Sequence, residues 1–346
     1  MKNFLFKIFA FCIPLIAVVV AYVATDVFKV IYHYDPFYVD SYPVNLNRAY
    51  GSTMTYINQN PKYHYNSFIF GNSRSLFYEI DTWKKYLPEG SSCMHFDESF
   101  GSISGLYEKV SFIDRQGGDL DNALLVLDPA LLSSLEINEG YLFIAPPILK
   151  NNENWVSFHF QNFMAFLNPK FLFALVDYKM FGKFRPYMHL LLNDNRSTYI
   201  PEYNEFQKTY AEEAISNGTY YDEARLKFFY DIQHPEANSP ELLTLEGIKY
   251  LRSIKDIFDK HNTSYKIVIS PIYDQIKLKR DTYYTLCDIF GEKNIYDFSG
   301  VNKWNQDYHN YYEASHYRPN VSAEIMDIIY STEGTSDTTV VMSNVN

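Results

Sequence analysis

A serine hydroxyl attacks a carbonyl only when a base takes its proton, and the usual base is a histidine oriented by a carboxylate. Ser73, His316 and Glu313 have the types and placement for those roles. Ser73 lies in Ser67-Phe68-Ile69-Phe70-Gly71-Asn72-Ser73-Arg74-Ser75, where an apolar run stops at a glycine that lets the chain bend and delivers a serine to a turn. Phe68 to Phe70 reads as a buried strand, and a helix is predicted over about Ser75 to Tyr86. Ser73 is thereby expected at the carboxyl edge of a sheet, where open α/β folds bind ligands. The bland reading of Gly-Asn-Ser is a surface turn, and the strand before and helix after argue against it.

The sequence holds nine histidines, and a carboxylate stands three residues before a histidine at both Asp231/His234 and Glu313/His316. Spacing alone does not choose between the pairs. Position favours the second, because His316 follows the last strand and precedes the last helix, at the same sheet edge as Ser73. Asp231 and His234 lie beside Pro235 in a region without regular alternation.

The elements that must position these residues alternate in type. After the first strand come a short apolar stretch at Cys93–Phe96, a glycine-containing loop from Phe100 to Gly105, a helical pattern through Leu106, Val110 and Ile113, and the buried strand Ala123–Leu127, ended by Asp128-Pro129. Between about 131 and 240 the rhythm breaks into aromatic-rich helical pieces (Phe158–Tyr178) and a polar stretch with no clear strand, which reads as an insertion over one edge or mouth of the sheet. Helix (Pro240–Lys260), strand (Tyr265–Ser270), helix (Ile276–Phe290), strand (Asn294–Phe298) and helix (Pro319–Tyr330) follow. Strands separated by helices pair in parallel through right-handed crossovers, so the fold class is α/β, a three-layer sandwich spanning 66–330.

At the N-terminus, Ile8 to Thr25 carries no charge, with Lys2 and Lys7 before it and Asp26 after it. Residues 1–25 are therefore expected to be a cytoplasmic stub and transmembrane anchor, with the rest of the chain on the extracytoplasmic side of a cell membrane. A cleaved signal peptide is the competing reading, and Tyr22 at the −3 position before Ala24 fits it poorly. Residues 26–65, rich in Pro, Tyr and Asn, read as a connector, and 331–346 as a disordered tail. A net charge of −11 without a basic cluster excludes a nucleic-acid partner. Three cysteines leave no zinc spacing, so no metal is expected; Cys93 and Cys287 either pair or stay free.

Gly71-Asn72-Ser73, the loop at Gly101 and Glu313-Ala314-Ser315-His316-Tyr317-Arg318-Pro319 together resemble the SGNH/GDSL hydrolase family, within it the membrane-anchored branch that includes the DltD and alginate O-acetylation proteins. The resemblance covers about 66–118 and 266–330. It implies a flavodoxin-like fold, a triad of Ser73, His316 and Glu313, and Gly101 as the oxyanion-loop glycine. It also implies O-acyltransferase or esterase action on an acylated cell-surface glycan, without a cofactor and with a membrane-embedded acyltransferase as partner; the alternative is a non-catalytic glycan-binding or assembly protein on the same fold. Asn72 and Glu313 stand where the family has Asp, and Asp128 stands near the family's oxyanion asparagine. Asp128 and Arg74 either reach the substrate or oxyanion, in which case Asp128→Asn would raise turnover, or Asp128 caps the segment after Pro129 and pairs with Arg74.

Overall fold

Short apolar runs separated by helix-forming stretches fold in the computed structural model as a parallel sheet with helices on both faces. The structure describes residues 2–40, 42–136, 139–194, 196–232 and 237–331, residues 2–10 as backbone alone. His234 of the competing acid/histidine pair and the tail beyond Ser331 lie outside the described residues. In chain order the elements are α1 (Lys2–Thr25), α2 (Arg48–Tyr63), β1 (Ser67–Gly71), α3 (Ile80–Trp83), β2 (Cys93–His95), α4 (Ile103–Arg115), β3 (Asn122–Leu127) and α5 (Pro129–Ser133). The region expected to be an insertion holds α6 (Trp155–Phe166), α7 (Pro169–Phe181), β4 (Thr198–Ile200), β5 (Glu205–Gln207), α8 (Thr209–Ser216) and α9 (Glu223–Leu226). The chain ends through α10 (Leu245–His261), β6 (Ser264–Ile269), α11 (Arg280–Phe290), β7 (Ile295–Asp297), β8 (Tyr311–Glu313), β9 (His316–Tyr317) and α12 (Pro319–Ser331).

The main sheet has the order β2-β1-β3-β6-β7, all pairs parallel. Alternate strand residues feed opposite layers. Phe68, Phe70, Leu125 and Ile267 pack with Tyr56 of α2, Val110 of α4, Leu251 of α10 and Leu286 of α11. Ile69, Leu124, Val126 and Val268 pack on the other face with Trp83 of α3 and Ile325 of α12. The strand order turns back between β1 and β3, and the crevice outside that point is where such sheets bind ligands.

Several expectations change. The apolar N-terminal run does form one helix, yet among the described residues no helix is long and apolar enough to cross a membrane. The described side chains begin at Phe11, and the far end of α1 belongs to the domain: Tyr22 is buried and its ring lies 5.3 Å from Phe163 and 5.4 Å from Phe166. That leaves fewer free apolar residues than the roughly 20 a spanning helix requires. The connector holds a sixteen-residue helix, α2, that buries Arg48, Ser52, Thr53, Thr55 and Gln59 beside its apolar residues. The helix expected over 75–86 is broken into a 3₁₀ turn (Ser75–Phe77), α3 and a second 3₁₀ turn (Lys84–Tyr86). The insertion does contain strands, since β4 and β5 pair as an antiparallel hairpin. Cys93 and Cys287 are free; they belong to clusters on opposite faces of the sheet.

Candidate active site

β1 delivers Ser73 to the crevice because its last residue has no side chain. A Cβ on Gly71 would stand 2.6 Å from the carbonyl oxygen of Val126 on β3 and 2.9 Å from Ser75 Cβ. Beyond it the chain turns on Asn72, whose carbonyl accepts from Ser75 N (2.9 Å) and whose side-chain oxygen accepts from Arg74 N (3.0 Å). The other end of the Asn72 side chain donates to Asp128 Oδ2 (2.5 Å), which also accepts from Arg74 Nη1 (2.8 Å). Asp128 Oδ1 caps α5 by accepting from Leu131 N (3.0 Å). The nucleophile turn is thus bolted to the end of β3 through a carboxylate that is 1% exposed.

The base arrives on the β8/β9 hairpin. Glu313 and His316 are paired residues flanking the tight turn Ala314-Ser315, so their side chains share one face. His316 Nε2 lies 2.7 Å from Ser73 Oγ, and its Nδ1 contacts Glu313 Oε1. A carboxylate on Nδ1 fixes the tautomer with the proton there and leaves Nε2 to accept from the serine hydroxyl. The structure brings all three sequence-predicted residues together, and the extra methylene of Glu313 is accommodated by the hairpin pairing. Phe77 flanks the imidazole edge-on, with ring centroids 5.6 Å apart.

The hairpin is tied down by the insertion. Glu212 of α8 accepts from Tyr312 Oη (2.6 Å) and from Arg318 Nε (3.0 Å) and Nη2 (2.5 Å). Tyr220 and Tyr221 donate to the carbonyls of Tyr312 (3.2 Å) and Tyr311 (2.8 Å). Lys208, just before α8, sets its ammonium 4.7 Å from the Tyr312 ring centroid and 5.4 Å from that of Phe77. Burial pushes the Glu313 carboxyl up, but the bond from His316 and the charges of His316, Lys208 and Arg225 outweigh it and hold the group below the ordinary carboxylate range. Burial lowers the Lys208 amine, against the opposing pull of Glu313. Lys208, Glu212 and the tyrosine pair carry no sequence signal of their own; only Arg318, in the stretch that ends Tyr317-Arg318-Pro319, sits beside a residue the spacing singled out.

The remaining predicted residues take other parts. Asp128 does not reach into the crevice: its oxygens are occupied by Asn72, Arg74 and Leu131, so the expected gain from Asp128→Asn gives way to a bracing role. Arg74 is turned to the same carboxylate. Gly101 has a positive φ of 73° and lies so close to Asn72 that a Cβ would stand 2.9 Å from the Asn72 Cβ, while its N–H donates to the carbonyl of Ser99 (2.9 Å). The Ser73 N–H meets no acceptor among the described residues and is the backbone donor open to an oxyanion.

Beside Ser73 and Leu76 opens a cavity of about 170 Å³. Its walls come from the connector (Tyr38, Tyr42, Arg48), the loop after β2 (Asp97, Ser99) and the insertion (Asn193, Phe206). Arg48 braces the floor, donating to both Asp97 oxygens (2.9 and 2.6 Å) and to Asn204 (3.0 and 2.6 Å). Among the described residues no group of His, Cys, Asp or Glu could hold a metal ion. No family model matches the chain, and neither a curated protein nor a solved structure matches it.

Proposed function

We propose that this chain is a serine-dependent acyl-transfer enzyme, an esterase or O-acyltransferase, of SGNH/GDSL-like, flavodoxin-like build, acting on an acylated cell-surface glycan. The observation that carries the reading is the relay Ser73 Oγ to His316 Nε2 at 2.7 Å, with Glu313 on the far ring nitrogen. Ser73 Oγ attacks the ester carbonyl as its proton passes to His316 Nε2. The oxyanion gathers at the Ser73 N–H; collapse expels the alkoxide, which takes the proton back from His316. The acyl-serine is then relieved by water or by a sugar hydroxyl, deprotonated in turn by His316. Glu313 keeps the imidazole oriented and stabilises its charged form.

A carbohydrate substrate is supported by the cavity wall, which sets the aromatic side chains of Tyr38, Tyr42 and Phe206 beside Asp40, Asn45 and Asn193, polar partners for hydroxyls. A place at the extracytoplasmic face of a cell membrane sets the domain where it can meet such a glycan and a membrane-embedded acyl donor protein. A second reading, a non-catalytic assembly or glycan-binding protein, is favoured by the Gly101 N–H being committed to Ser99. Incubating the protein with 4-nitrophenyl acetate and with an O-acetylated polysaccharide separates them. The enzyme reading expects acetate to be released or transferred, and the activity to vanish in Ser73→Ala; a folded protein inert towards both esters points to the second reading.

A further inference from the structure

A helix at a protein surface in water needs one apolar face; α6 and α7 each have two. Inward, Phe158 and Phe166 of α6 and Phe171 and Leu175 of α7 are buried in a cluster with Phe28 and Tyr22. Outward, α6 exposes Val156, Phe160 and Met164 at spacings of four, and α7 exposes Phe173, Val176 and Met180 at spacings of three and four. Each set is a stripe along one side of its helix. Leu190 beyond α7 is 96% exposed. An apolar surface of this extent costs solubility and marks an interaction site.

Two observations say what covers it. First, α1 ends against α6, and its own described length exposes Ile16, Val19 and Val20, so the apolar surface of the insertion continues onto the N-terminal helix. Second, the charge here is reversed: residues 155–190 carry Lys170, Lys179, Lys183 and Arg185 against Asp177 alone, a net +3 within a chain of −11. The three lysines are exposed and have no ion pair among the described residues. Apolar and aromatic side chains ringed by cations match the boundary between acyl chains and anionic headgroups, where a helix lies in the plane and need not span.

The geometry points to α6, α7 and the Leu190 loop as an in-plane membrane-binding face that seats on an anionic bilayer beside α1. This surface is distinct from the triad, and its occupancy holds whatever reaction Ser73 performs. It would fix the orientation of the domain over the bilayer.

The test uses the full chain in a Trp155→Phe background, since Trp83 and Trp304 are buried. A reporter is placed by Leu190→Trp or, as a control on α11, by Tyr284→Trp, whose parent residue is also exposed. Fluorescence is read on vesicles of phosphatidylcholine and phosphatidylglycerol with brominated acyl chains. The inference expects strong quenching at position 190 and none at 284, and a loss of vesicle affinity of about a hundredfold for Lys170→Glu/Lys179→Glu/Lys183→Glu when phosphatidylglycerol is present. Protein that floats with the vesicles while position 190 stays unquenched shows that α1 alone binds and overturns the inference. So does a Leu190→Trp emission that shifts to the blue without lipid, together with a concentration-dependent dimer in sedimentation, because a second copy then covers the face.

Discussion

Ser73 stands on a turn whose supports come from the sandwich alone, whereas His316 stands on a hairpin held by both the sandwich and the insertion. The first is held by Gly71 against β3, by the Asn72 side chain and by the buried Asp128. The second buries Tyr311, Tyr312 and Tyr317 in the core of the sandwich, where Tyr311 donates to the Pro271 carbonyl (2.6 Å), and leans besides on Glu212, Tyr220 and Tyr221 of the insertion. A turn fixed by a desolvated carboxylate has one geometry, because releasing it would strand a charge in the interior. The hairpin shares that core and adds a partly exposed ion pair from the insertion, Arg318 to Glu212, which contributes little to stability, so the insertion bears on the placement of the base more than on the fold.

Removing either member of the central contact should have the largest effect. Ser73→Ala and His316→Ala are each expected to lower ester turnover on the order of 10⁴-fold or more with an unchanged melting temperature, and the double variant should be no worse than either alone. Additive losses in those kinetics would mean that the two side chains do not act as a unit.

The brace of the nucleophile turn comes next. Asp128→Asn leaves a single acceptor oxygen for the donors of Asn72, Arg74 and Leu131, so its NH2 must face a donor on one side or the other, stability should fall by about 2–3 kcal/mol and turnover should fall with it. Asn72→Asp alone sets two carboxylates face to face and should cost a similar amount. Combining the two reverses donor and acceptor across the same bond, keeps a carboxylate beside Arg74 and should recover at least half of the loss. Chemical denaturation of the four proteins reads this cycle directly. Asn72 and Asp128 are two of the three departures from the resembled family's pattern, and they face one another across this single hydrogen bond.

That exchange was beyond reach of the sequence, as were most links between distant segments. Gly71-Asn72-Ser73 could be read because a buried strand, a glycine and a serine are contiguous. Glu313 and His316 could be read because they stand between the last strand of the main sheet and the last helix, although the hairpin itself, β8 and β9, is too short to show periodicity. α2 escaped because the helix buries Arg48, Ser52, Thr53, Thr55 and Gln59, so its inward face is polar and no apolar stripe marks it. β4 and β5 are three residues each and carry no alternation that outweighs chance. The helix expected after Ser73 breaks because Tyr78 and Glu79 leave helical geometry, and Ile80 N turns to the buried Glu205 from the insertion (2.7 Å). Aromatic richness in Phe158–Tyr178 was visible; that half of it faces outward was not.

Smaller effects are expected on the hairpin side. Arg318→Ala removes the partner of Glu212 and should lower kcat by about tenfold while changing stability by no more than about 1 kcal/mol, since the pair is partly exposed. Lys208→Met should be milder, a few-fold in kcat, with its signature in pH. The Glu313 carboxyl is held below its ordinary range in part by Lys208, so its contribution to stability is complete above that range and disappears as pH falls through the lowered value. Without Lys208 the carboxyl moves up towards its ordinary value, so the stability it contributes at neutral pH should be smaller and its loss on acidification should be complete at a higher pH. Melting curves between neutral and acidic pH check the direction.

The central claim is that Ser73 is activated by His316. Reaction of the intact protein with a serine-directed fluorophosphonate, followed by mass spectrometry, tests it most directly. One adduct per chain is predicted, located on Ser73, absent in Ser73→Ala and formed at least about a hundredfold more slowly in His316→Ala. A folded protein that takes no label on Ser73, or that labels equally fast without His316, would contradict the account.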